Sequence, residues 1–357
     1  MRLLLARELV REDAPIRGDE RGGGLVAARF KAKDQVHPRF PATPQAASTS
    51  AVNLPLRLGT RGSPLALAQA RLVVEALRAA HGLGEDAIAI IPIRTTGDAI
   101  QDRPLAEIGG KALWTKELDR ALIDGAIDFA VHSMKDVETL RPGELVIAAM
   151  LPRADVHERL IGAESIEALP QDARVGTSSP RRAAQLRAMR PDLRIVSFRG
   201  NVATRIARLD KGEAEATLLA AAGLDRLGER DLGAPISPAQ MLPAPQQGAI
   251  GIETLADSAE MRALLAAIDH APTRLCVETE RALLLALGAD CHSPVAALAT
   301  LDGEILTLDA EILNEDGSET HRRRISAPSE TAADEAAILA RALLDSASPG
   351  LRALFRE

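Results

Sequence analysis

The stretch GTSSPRRAAQLR, residues 176–187, predicts a helix whose first turn faces a bound anion. Pro180 suits the first position of a helix and Ser179 the cap before it, so Arg181 and Arg182 fall in the first turn. The free N–H groups and the positive end of the helix dipole lie there, and both favour acidic residues or bound anions. Two arginines added to this positive end therefore predict a ligand that brings its own negative charge.

A similar stretch, GTRGSPLALAQARL at residues 59–72, opens an earlier part of the chain. Both stretches run from a short strand through Gly-Thr and Ser-Pro into a helix that carries Gln and Arg. A chance repeat of a Ser-Pro cap is one explanation. The other is two related lobes, each aiming a helix N-terminus at a shared cleft, where N–H groups and dipole bind anions together.

Strands alternate with helices from Leu56 onward, and this order predicts an α/β fold of parallel sheets with crossover helices. The alternation breaks near residues 152–165 and then starts again. From about Ala271 the pattern changes to a helix, antiparallel strands with two Asp-Gly turns, and a last helix at about residues 331–345. This third region is predicted to be a small α+β domain.

The composition of the 357 residues narrows the classes of function. A net charge of −7 argues against general affinity for nucleic acid, and an aromatic content of 2% leaves few rings for stacking on bases. Two cysteines cannot build a disulfide framework, so reduced thiols and a cytoplasmic location are expected. No apolar run approaches the roughly 20 residues that cross a bilayer.

The first fifty residues differ from the rest of the chain. Their apolar start, MRLLLARELV, is interrupted by Arg7 and Glu8 before it can serve as the core of a signal peptide. Gly, Pro, Ser and charged residues dominate the remainder of this segment, and the acidic ones disfavour a transit peptide. We therefore expect residues 1–53 to be a mostly disordered extension.

Eight arginines and no lysine stand between residues 181 and 208. Exclusive use of arginine favours planar, bidentate recognition of carboxylate or phosphate. Four of them stand at the ends of predicted elements, where a cleft would lie: Arg181, Arg182, Arg199 and Arg205. Three others fit a solvent-facing surface: Arg187, Arg190 and Arg208.

Polar residues follow a predicted buried strand in DFAVHSMKD, residues 128–136. The carboxyl ends of strands line the ligand crevice of a parallel sheet, so His132, Lys135 and Asp136 are candidate site residues, while Met134 fits packing. An aspartate among arginines stays ionised, and it can stabilise a cationic ligand nitrogen or transfer a proton.

The segment DRPLAEIGGKALWTKEL places Gly109-Gly110-Lys111 before a helix. One interpretation is a phosphate-binding loop, but the segment lacks the full pattern of a P-loop. The other interpretation is a hinge-like active-site segment that carries Lys111. Residues 95–112 are punctuated by glycine and lack apolar periodicity, so we expect a mobile lid there, next to Trp114.

The two cysteines stand in different surroundings. Cys276 lies inside a helical apolar pattern, which predicts a buried small hydrophobic side chain. Cys291 lies in a loop beside His292, where a thiol can be reached, but no second Cys or His stands at the spacing of a metal site. Cys291 is therefore a nucleophile, an attachment thiol or an ordinary loop cysteine, and no metal is expected.

Taken together, nine segments resemble the porphobilinogen deaminase (hydroxymethylbilane synthase) family. They run in order from about Leu56 to the C-terminal region: GTRGSPLALAQ, TTGD, GGKALWTKEL, AVHSMKDV, VGTSSPRR, RGNVATR, AAGLDRLG, LPAPQQGAIGIE and ERALLLALGADCHSP. The resemblance implies a transferase of tetrapyrrole biosynthesis. Such an enzyme is a cytoplasmic monomer that joins four porphobilinogen units and releases ammonia at each step, without nucleic acid or membrane as a partner.

The resemblance also implies a cofactor and a set of site residues. The cofactor is dipyrromethane, made from substrate and held by a thioether to a cysteine, which by motif position is Cys291. The implied catalytic residues are Asp136, as the acid/base group, with Lys135 and Lys111. The residues implied to bind the cofactor are Cys291, Ser179, Arg181, Arg182, Thr177, Arg205 and Lys135. The residues implied to bind substrate are Arg61, Ser63, Arg199, Gly200, Arg226 and Gln247.

The fold implied by the resemblance has two lobes like type-II periplasmic binding proteins, with mixed, mainly parallel sheets, and a C-terminal domain that carries the cofactor cysteine. The expected domains are residues 54–152 with 244–266, residues 153–243, and residues 267–357. Four positions depart from the family pattern. Ala289-Asp290 replace Gly-Gly or Gly-Ser before the cysteine, Trp114 replaces Phe, and Glu107 stands where some members carry Lys.

Two other classes of function remain open from the sequence. One is an organic-anion binding protein of the same two-lobed architecture that performs no catalysis. The absence of a signal peptide and the Cys291 region argue against it. The other is the effector-binding domain of a transcription factor, but no helix-turn-helix pattern precedes the lobes.

Overall fold

The computed structural model describes residues 53–95, 115–290 and 293–355, so nearly all of the predicted extension lies outside it. The strands in these ranges are β1 (Leu56–Arg61), β2 (Ile88–Ile93), β3 (Phe129–Ser133), β4 (Leu145–Met150), β5 (Glu158–Ile161), β6 (Arg174–Gly176), β7 (Arg194–Val196), β8 (Ala216–Ala220), β9 (Ala234–Ile236), β10 (Ile250–Leu255), β11 (Val295–Asp302), β12 (Ile305–Leu313) and β13 (Thr320–Pro328). The α-helices are α1 (Pro64–His81), α2 (Lys116–Ile123), α3 (Pro180–Met189), α4 (Val202–Asp210), α5 (Ala221–Arg226), α6 (Ala259–Ala266), α7 (Ala271–Leu287), α8 (Ala332–Ser346) and α9 (Pro349–Arg352). Within the described ranges, no helix has both the length and the apolar character needed to cross a membrane.

The first sheet has the strand order β2-β1-β3-β10-β4. β1 is parallel to β2 and β3, whereas β10 is antiparallel to both of its neighbours. Helix α1 covers one face, where Leu58, Val73, Phe129, Ile252 and Leu265 share one buried cluster. Burial of each such side chain stabilises the fold by roughly 1.5–3 kcal/mol.

The second sheet repeats this arrangement with the order β7-β6-β8-β5-β9. β6 is parallel to β7 and β8, and β5 is antiparallel to both of its neighbours. Its core includes Leu160, Val175, Leu186, Leu218 and Ile236. In each of these two sheets, the strand that is antiparallel to both of its neighbours is the fourth in the strand order.

A third, antiparallel sheet has the order β11-β12-β13, and α7 and α8 pack against it. Its two hairpins turn at the predicted Asp302-Gly303 and Asp316-Gly317, where Gly303 and Gly317 take the positive φ values that such turns require. Together the three sheets confirm the predicted fold class of two α/β lobes with mixed, mainly parallel sheets and a small C-terminal α+β domain.

Local capping explains where the predicted helices begin. Oγ of Ser63 accepts a hydrogen bond from the backbone N–H of Ala66 at 3.3 Å, and Gly82 ends α1 in the left-handed conformation. Oγ of Ser179 accepts from the N–H of Arg182 at 3.4 Å at the start of α3. Both Ser-Pro stretches are therefore helix starts, as predicted.

The interpretation of residues 152–165 as a break was wrong. This segment contains β5, which pairs with β8 and β9. The strand has only four residues, so no hydrophobic period is visible in the sequence. In the same sheet, β8 ends at Ala220 and the apolar residues after it begin α5.

Two segments join the first and second sheets, one between β4 and β5 and one between β9 and β10. They contact each other: Nε of Arg153 donates to the carbonyl of Gln247 at 2.8 Å, and the N–H of Ala154 donates to Gly248 at 3.2 Å. The predicted boundaries of the central domain, residues 153–243, lie in these segments, and the division into domains stays a prediction.

Candidate active site

Two loops of the first sheet meet at one cavity. β1 ends at Arg61 and leads to Ser63, the cap of α1, while β3 is followed by a 3-10 turn that ends at Asp136. Because β1 and β3 are parallel neighbours, their carboxyl ends lie at the same edge of the sheet. The structure thus brings together four of the predicted site residues, Arg61, Ser63, His132 and Asp136. The polar residues that line the cavity are Arg61, Ser63, Gln69, Thr115, His132, Ser133 and Asp136.

The turn after β3 exposes Lys135 and Asp136 and buries Met134 between them and the strand. Gly251 of β10 lies against Met134, and a Cβ at this position would collide with the methionine sulfur. Packing of Met134 against a glycine therefore anchors the turn. The prediction that Met134 packs in the core is confirmed.

Lys135 interacts with charges from both lobes: Asp136 beside it, Glu158 of β5, and Arg181 and Arg182 of α3. Its side chain is exposed, which places it in an open cleft rather than in the core. The protein around it still displaces much of the bulk water, and this desolvation lowers the pKa of Lys135 to about 8; Asp136 opposes the shift and Arg182 adds to it.

Arg181 and Arg182 occupy the first turn of α3, as predicted, but their guanidinium groups contact Glu158 of β5. Nη2 of Arg181 lies 2.7 Å from Oε1 of Glu158, and Nη2 of Arg182 lies 2.6 Å from Oε2. Arg181 and Arg182 are only 4% and 6% exposed, and Glu158 is fully buried. The chain itself therefore supplies the negative charge that the sequence led us to expect from a ligand. The role of the two arginines toward the cofactor stays a prediction.

The charge of Glu158 is stabilised by its arginine partners. Burial alone would raise the pKa of this carboxyl, but Arg182 and Arg181 outweigh burial and lower the pKa to about 2. Glu158 was not predicted as a site residue, because its segment was interpreted as a break in the alternation of strands and helices. The short run ERLI after His157 is the one local signal of a strand that carries this carboxylate.

Thr177 and Ser179 shape the loop before α3. Oγ1 of Thr177 accepts from the N–H of Ser179 at 3.1 Å, and Ser179 caps the helix. Thr177 is buried, whereas Ser179 is partly accessible. In both cases the hydroxyl oxygen accepts from the backbone, which leaves the O–H as a donor.

Arg199 and Gly200 lie in the loop between β7 and α4, and Arg205 lies in the first turn of α4. Nε of Arg205 donates to the carbonyl of Gly200 at 3.0 Å, and Gly200 has a φ of 106°, a conformation that favours glycine. Desolvation lowers the pKa of Arg205 to about 10; repulsion by Arg182 adds to this shift and Asp136 opposes it. Nη1 of Arg199 is buried without a hydrogen-bond partner, which leaves a donor for a ligand.

Arg226 and Gln247 lie at the segments that join the two sheets. Nη2 of Arg226 donates to the carbonyl of Gly248 at 2.7 Å, and Nε2 of Gln247 donates to Val156 at 2.8 Å. Desolvation lowers the pKa of Arg226 to about 10, against an opposing effect of Asp225. Oε1 of Gln247 is buried without a hydrogen-bond partner.

Several predictions fall on residues outside the described ranges. They are the roles of Lys111 and Cys291, and the lid predicted at residues 95–112. Thr95 is the one residue of the lid that lies inside the described ranges. Asp290, one of the departures from the family pattern, is described. Its N–H donates to Oγ of Ser293 at 3.1 Å, and its carboxylate accepts from the same hydroxyl at 3.4 Å, so it shapes the turn after α7.

The prediction for Cys276 is confirmed. The residue is buried on α7 in the core of the third sheet. Desolvation raises the pKa of its thiol to about 11, and the nearby charge of Glu280 adds to this effect. A buried thiol with a raised pKa is a poor nucleophile.

His132 contacts an internal charge network that the sequence did not reveal. Its Nε2 lies 3.0 Å from Oε2 of Glu253, a fully buried residue of β10. Arg141 donates to both oxygens of Glu253 at 2.8 and 2.9 Å, to Glu138 at 2.6 Å and to Asp119 at 2.5 Å. The network holds the loop after β3 behind the cavity.

The three arginines expected to face solvent, Arg187, Arg190 and Arg208, are each partly exposed and also contact the protein. Nε and Nη2 of Arg190 donate to Asp192 at 2.7 and 2.6 Å, and its other contacts are carbonyl oxygens of residues 166–170. Nη1 of Arg187 donates to the carbonyl of Glu315 in the third sheet at 2.7 Å. Arg208 stacks on Phe198, with 4.0 Å between its guanidinium carbon and the ring centre.

The chain is similar to known protein families and to curated proteins. Residues 56–263 match the family model described as porphobilinogen deaminase, dipyromethane cofactor binding domain, and residues 274–345 match the porphobilinogen deaminase C-terminal domain. The porphobilinogen deaminase of Sphingopyxis alaskensis is 58% identical over 307 residues, which cover 84% of this chain and 96% of that protein. That of Paracoccus denitrificans is 53% identical over 268 residues, 74% of this chain and 86% of that protein.

Solved structures with lower similarity include two bacterial proteins. The periplasmic VFT2 domain of Bordetella pertussis BvgS is 14% identical with a TM-score of 0.36, over 59% of this chain and 86% of that one. YhfZ from Shigella flexneri is 17% identical with a TM-score of 0.34, over 66% of this chain and 91% of that one. The two family models and the identity to curated relatives over most of the sequence lead to one conclusion: the chain belongs to the porphobilinogen deaminase family.

Proposed function

We propose that this protein is a transferase that condenses four porphobilinogen units head to tail into hydroxymethylbilane and releases one ammonia per unit. The proposal includes a dipyrromethane primer attached through Cys291 and action as a cytoplasmic monomer. The observation that carries it is the position of Asp136. This carboxylate shares one cavity with Arg61 and Ser63 and interacts with Lys135 and Arg205, which come from opposite sides of the cleft.

The residues present fit a primer and a substrate that both carry carboxylates. Each pyrrole unit brings an acetate and a propionate, and Lys135, Arg61, Arg199 and Arg205 supply cationic donors around the cleft. The unpartnered Nη1 of Arg199 supports this fit, since a buried guanidinium donor without an acceptor is costly. When bound, the dipyrromethane supplies the pyrrole carbon that forms the new bond.

Asp136 can perform the step that releases ammonia. Its carboxylate can pair with the ammonium group of porphobilinogen and then stabilise the cation that remains on the substrate when the carbon–nitrogen bond breaks. The nitrogen keeps the electron pair of that bond and leaves as ammonia. The exposed position of Asp136 on a turn anchored by Met134 gives it access to this nitrogen.

One experiment tests both the reaction and the primer. Purified protein is incubated with porphobilinogen while ammonia and hydroxymethylbilane are measured, and its intact mass is determined beforehand. We expect turnover, and a mass above that of the sequence by one dipyrromethane. Cys291→Ser should lose this increment, whereas the matched control Cys276→Ser should keep it, because Cys276 is buried. Binding of porphobilinogen without release of ammonia would instead favour an anion-binding protein.

A further inference from the structure

A buried polar connection joins α3 to the third sheet. Nε2 of Gln185 on α3 donates to Oε2 of Glu311 on β12 at 2.6 Å and to the carbonyl of Leu242 at 3.1 Å. Oε1 of the same amide accepts from Nη1 of Arg181 at 3.2 Å. Gln185 and Glu311 are both buried. The connection therefore runs from the C-terminal sheet to an arginine at the proposed anion site.

The chemistry of the three groups fixes the orientation of the central amide. A carboxylate only accepts hydrogen bonds and a guanidinium only donates them. The amide nitrogen of Gln185 must therefore face Glu311, and its oxygen must face Arg181. A flipped amide would set donor against donor at Arg181 and acceptor against acceptor at Glu311. Glu311 thus ensures that Arg181 meets an acceptor.

The other contacts of Arg181 do not by themselves hold its Nη1 in place. Its Nη2 donates to Oε1 of Glu158, an oxygen that also accepts from Nε of Arg182. Its Nη1 has a second, longer contact of 3.3 Å to the carbonyl of Leu242, and its Nε is buried without a hydrogen-bond partner. The charge of Glu311 also attracts Arg181. Gln185 is therefore the side chain that holds Nη1 in place.

We propose that Glu311 is a positioning residue that acts through Gln185 to set the guanidinium of Arg181. The inference rests on the proposed function, because it takes Arg181, which the resemblance assigns to the cofactor, as part of a carboxylate site on which the affinity for porphobilinogen also depends. Its consequence is that the C-terminal domain, which would hold the growing chain through Cys291, also positions an arginine of α3. A merely structural Glu311 would affect folding stability without changing affinity for porphobilinogen.

The test compares Glu311→Gln with a matched control on the same strand. Asp309 lies two residues earlier on β12, hence on the same face, and its oxygens accept from Arg324 at 2.9 and 2.8 Å. Glu311→Gln removes the charge and no longer enforces the amide orientation. We expect it to raise KM for porphobilinogen about fivefold, the equivalent of about one hydrogen bond, with kcat within about twofold of wild type. Asp309→Asn should leave both constants unchanged. Equal KM values in the two variants would overturn the proposal.

A second variant keeps the proposal testable if Glu311→Gln unfolds. Gln185→Met removes the amide from the other side and should raise KM to a similar extent. Since both residues act on Arg181 in series, the double variant should be no worse than Gln185→Met alone. Additive effects of the two changes, or an unchanged KM in Gln185→Met, would contradict it.

Failure of the proposed function can be recognised separately. If the wild-type protein does not consume porphobilinogen, crystal structures of wild type and Glu311→Gln still test the positioning. We expect Nη1 of Arg181 to leave Oε1 of Gln185 in the variant. An unchanged Arg181 in the variant crystal would overturn the positioning role.

Discussion

The first and second sheets each carry one fully buried glutamate on the antiparallel strand in fourth place: Glu253 on β10 and Glu158 on β5. Burial would raise the pKa of both carboxyls, yet both pKa values are lowered to about 2. For Glu253 the cause is His132 and Arg141, and for Glu158 it is the arginine pair of α3. Each of the two sheets thus stabilises one buried carboxylate, but the cationic side chains that do so differ.

The arginine partners of the two glutamates come from different places in the fold. Arg141 comes from the loop after β3 and contacts three carboxylates, which makes a closed internal network. Arg181 and Arg182 come from a helix start at the carboxyl edge of the second sheet and interact with Lys135 in the cleft. A buried glutamate with arginine partners therefore indicates no function by itself.

The largest expected effect comes from removing either buried charge. Glu158→Gln and Glu253→Gln each leave buried cations without compensation, so the free energy of unfolding should fall by about 3–5 kcal/mol in urea titrations. The exposed pair of Glu215 and Arg174 provides the control, and Glu215→Gln should cost less than about 1 kcal/mol. A loss no larger than that of Glu215→Gln would show that the internal pairs contribute no more than surface pairs.

The next prediction concerns Asp136, which lines the cavity of the first sheet and is independent of both buried glutamates. Asp136→Asn should lower the rate of ammonia release by about a hundredfold or more, because it removes the acid/base carboxylate. Asp136 is exposed, so the melting temperature should stay close to that of wild type. Asp124→Asn, at the exposed residue that ends α2, is the matched control. Near-normal turnover by folded, primer-loaded Asp136→Asn protein would exclude the assigned role.

The local features of this fold could be predicted from the sequence. Ser63 and Ser179 each precede a proline, and a cap needs only residues within one turn, so the starts of α1 and α3 were predicted correctly. The strand-end position of Asp136 followed from the apolar run before it. Cys276 could be placed in the core from its apolar neighbours.

The orientation of the Arg181 side chain toward Glu158 could not be predicted from such local features. Its partner Glu158 comes from a strand 23 residues earlier in the chain, and only the pairing of β5 with β8 brings it to the helix start. β5 is too short to show a period, and a single glutamate in a polar segment gives no signal of burial. The connection through Gln185 to Glu311 spans 126 residues and depends on how the third sheet packs.

A smaller effect is expected from acid, and its sign follows from the lowered pKa values. Glu158 and Glu253 contribute stability above the ordinary pKa of about 4.5, and this stability is lost as the pH falls toward about 2. From pH 4.5 to 3 each glutamate should account for about 2 kcal/mol of the loss. In Glu253→Gln the slope of stability against pH should therefore be shallower than in wild type. Identical slopes in the two proteins would show that Glu253 does not titrate with folding.

The smallest predicted effect concerns Lys135, the first-sheet cation that interacts with the charges of the second sheet. Its pKa of about 8 means that it loses its charge as the pH rises through that value, and with the charge goes a donor for a substrate carboxylate. KM for porphobilinogen should therefore rise about fivefold between pH 7 and 9, which corresponds to roughly one hydrogen bond. Lys135→Arg keeps its charge over this range and should show no such rise, and titration of the substrate is common to both proteins, so it cancels in their ratio. If KM follows the same pH profile in both proteins, the cleft lysine does not titrate near pH 8, and the first sheet supplies Asp136 without a pH-dependent cation beside it.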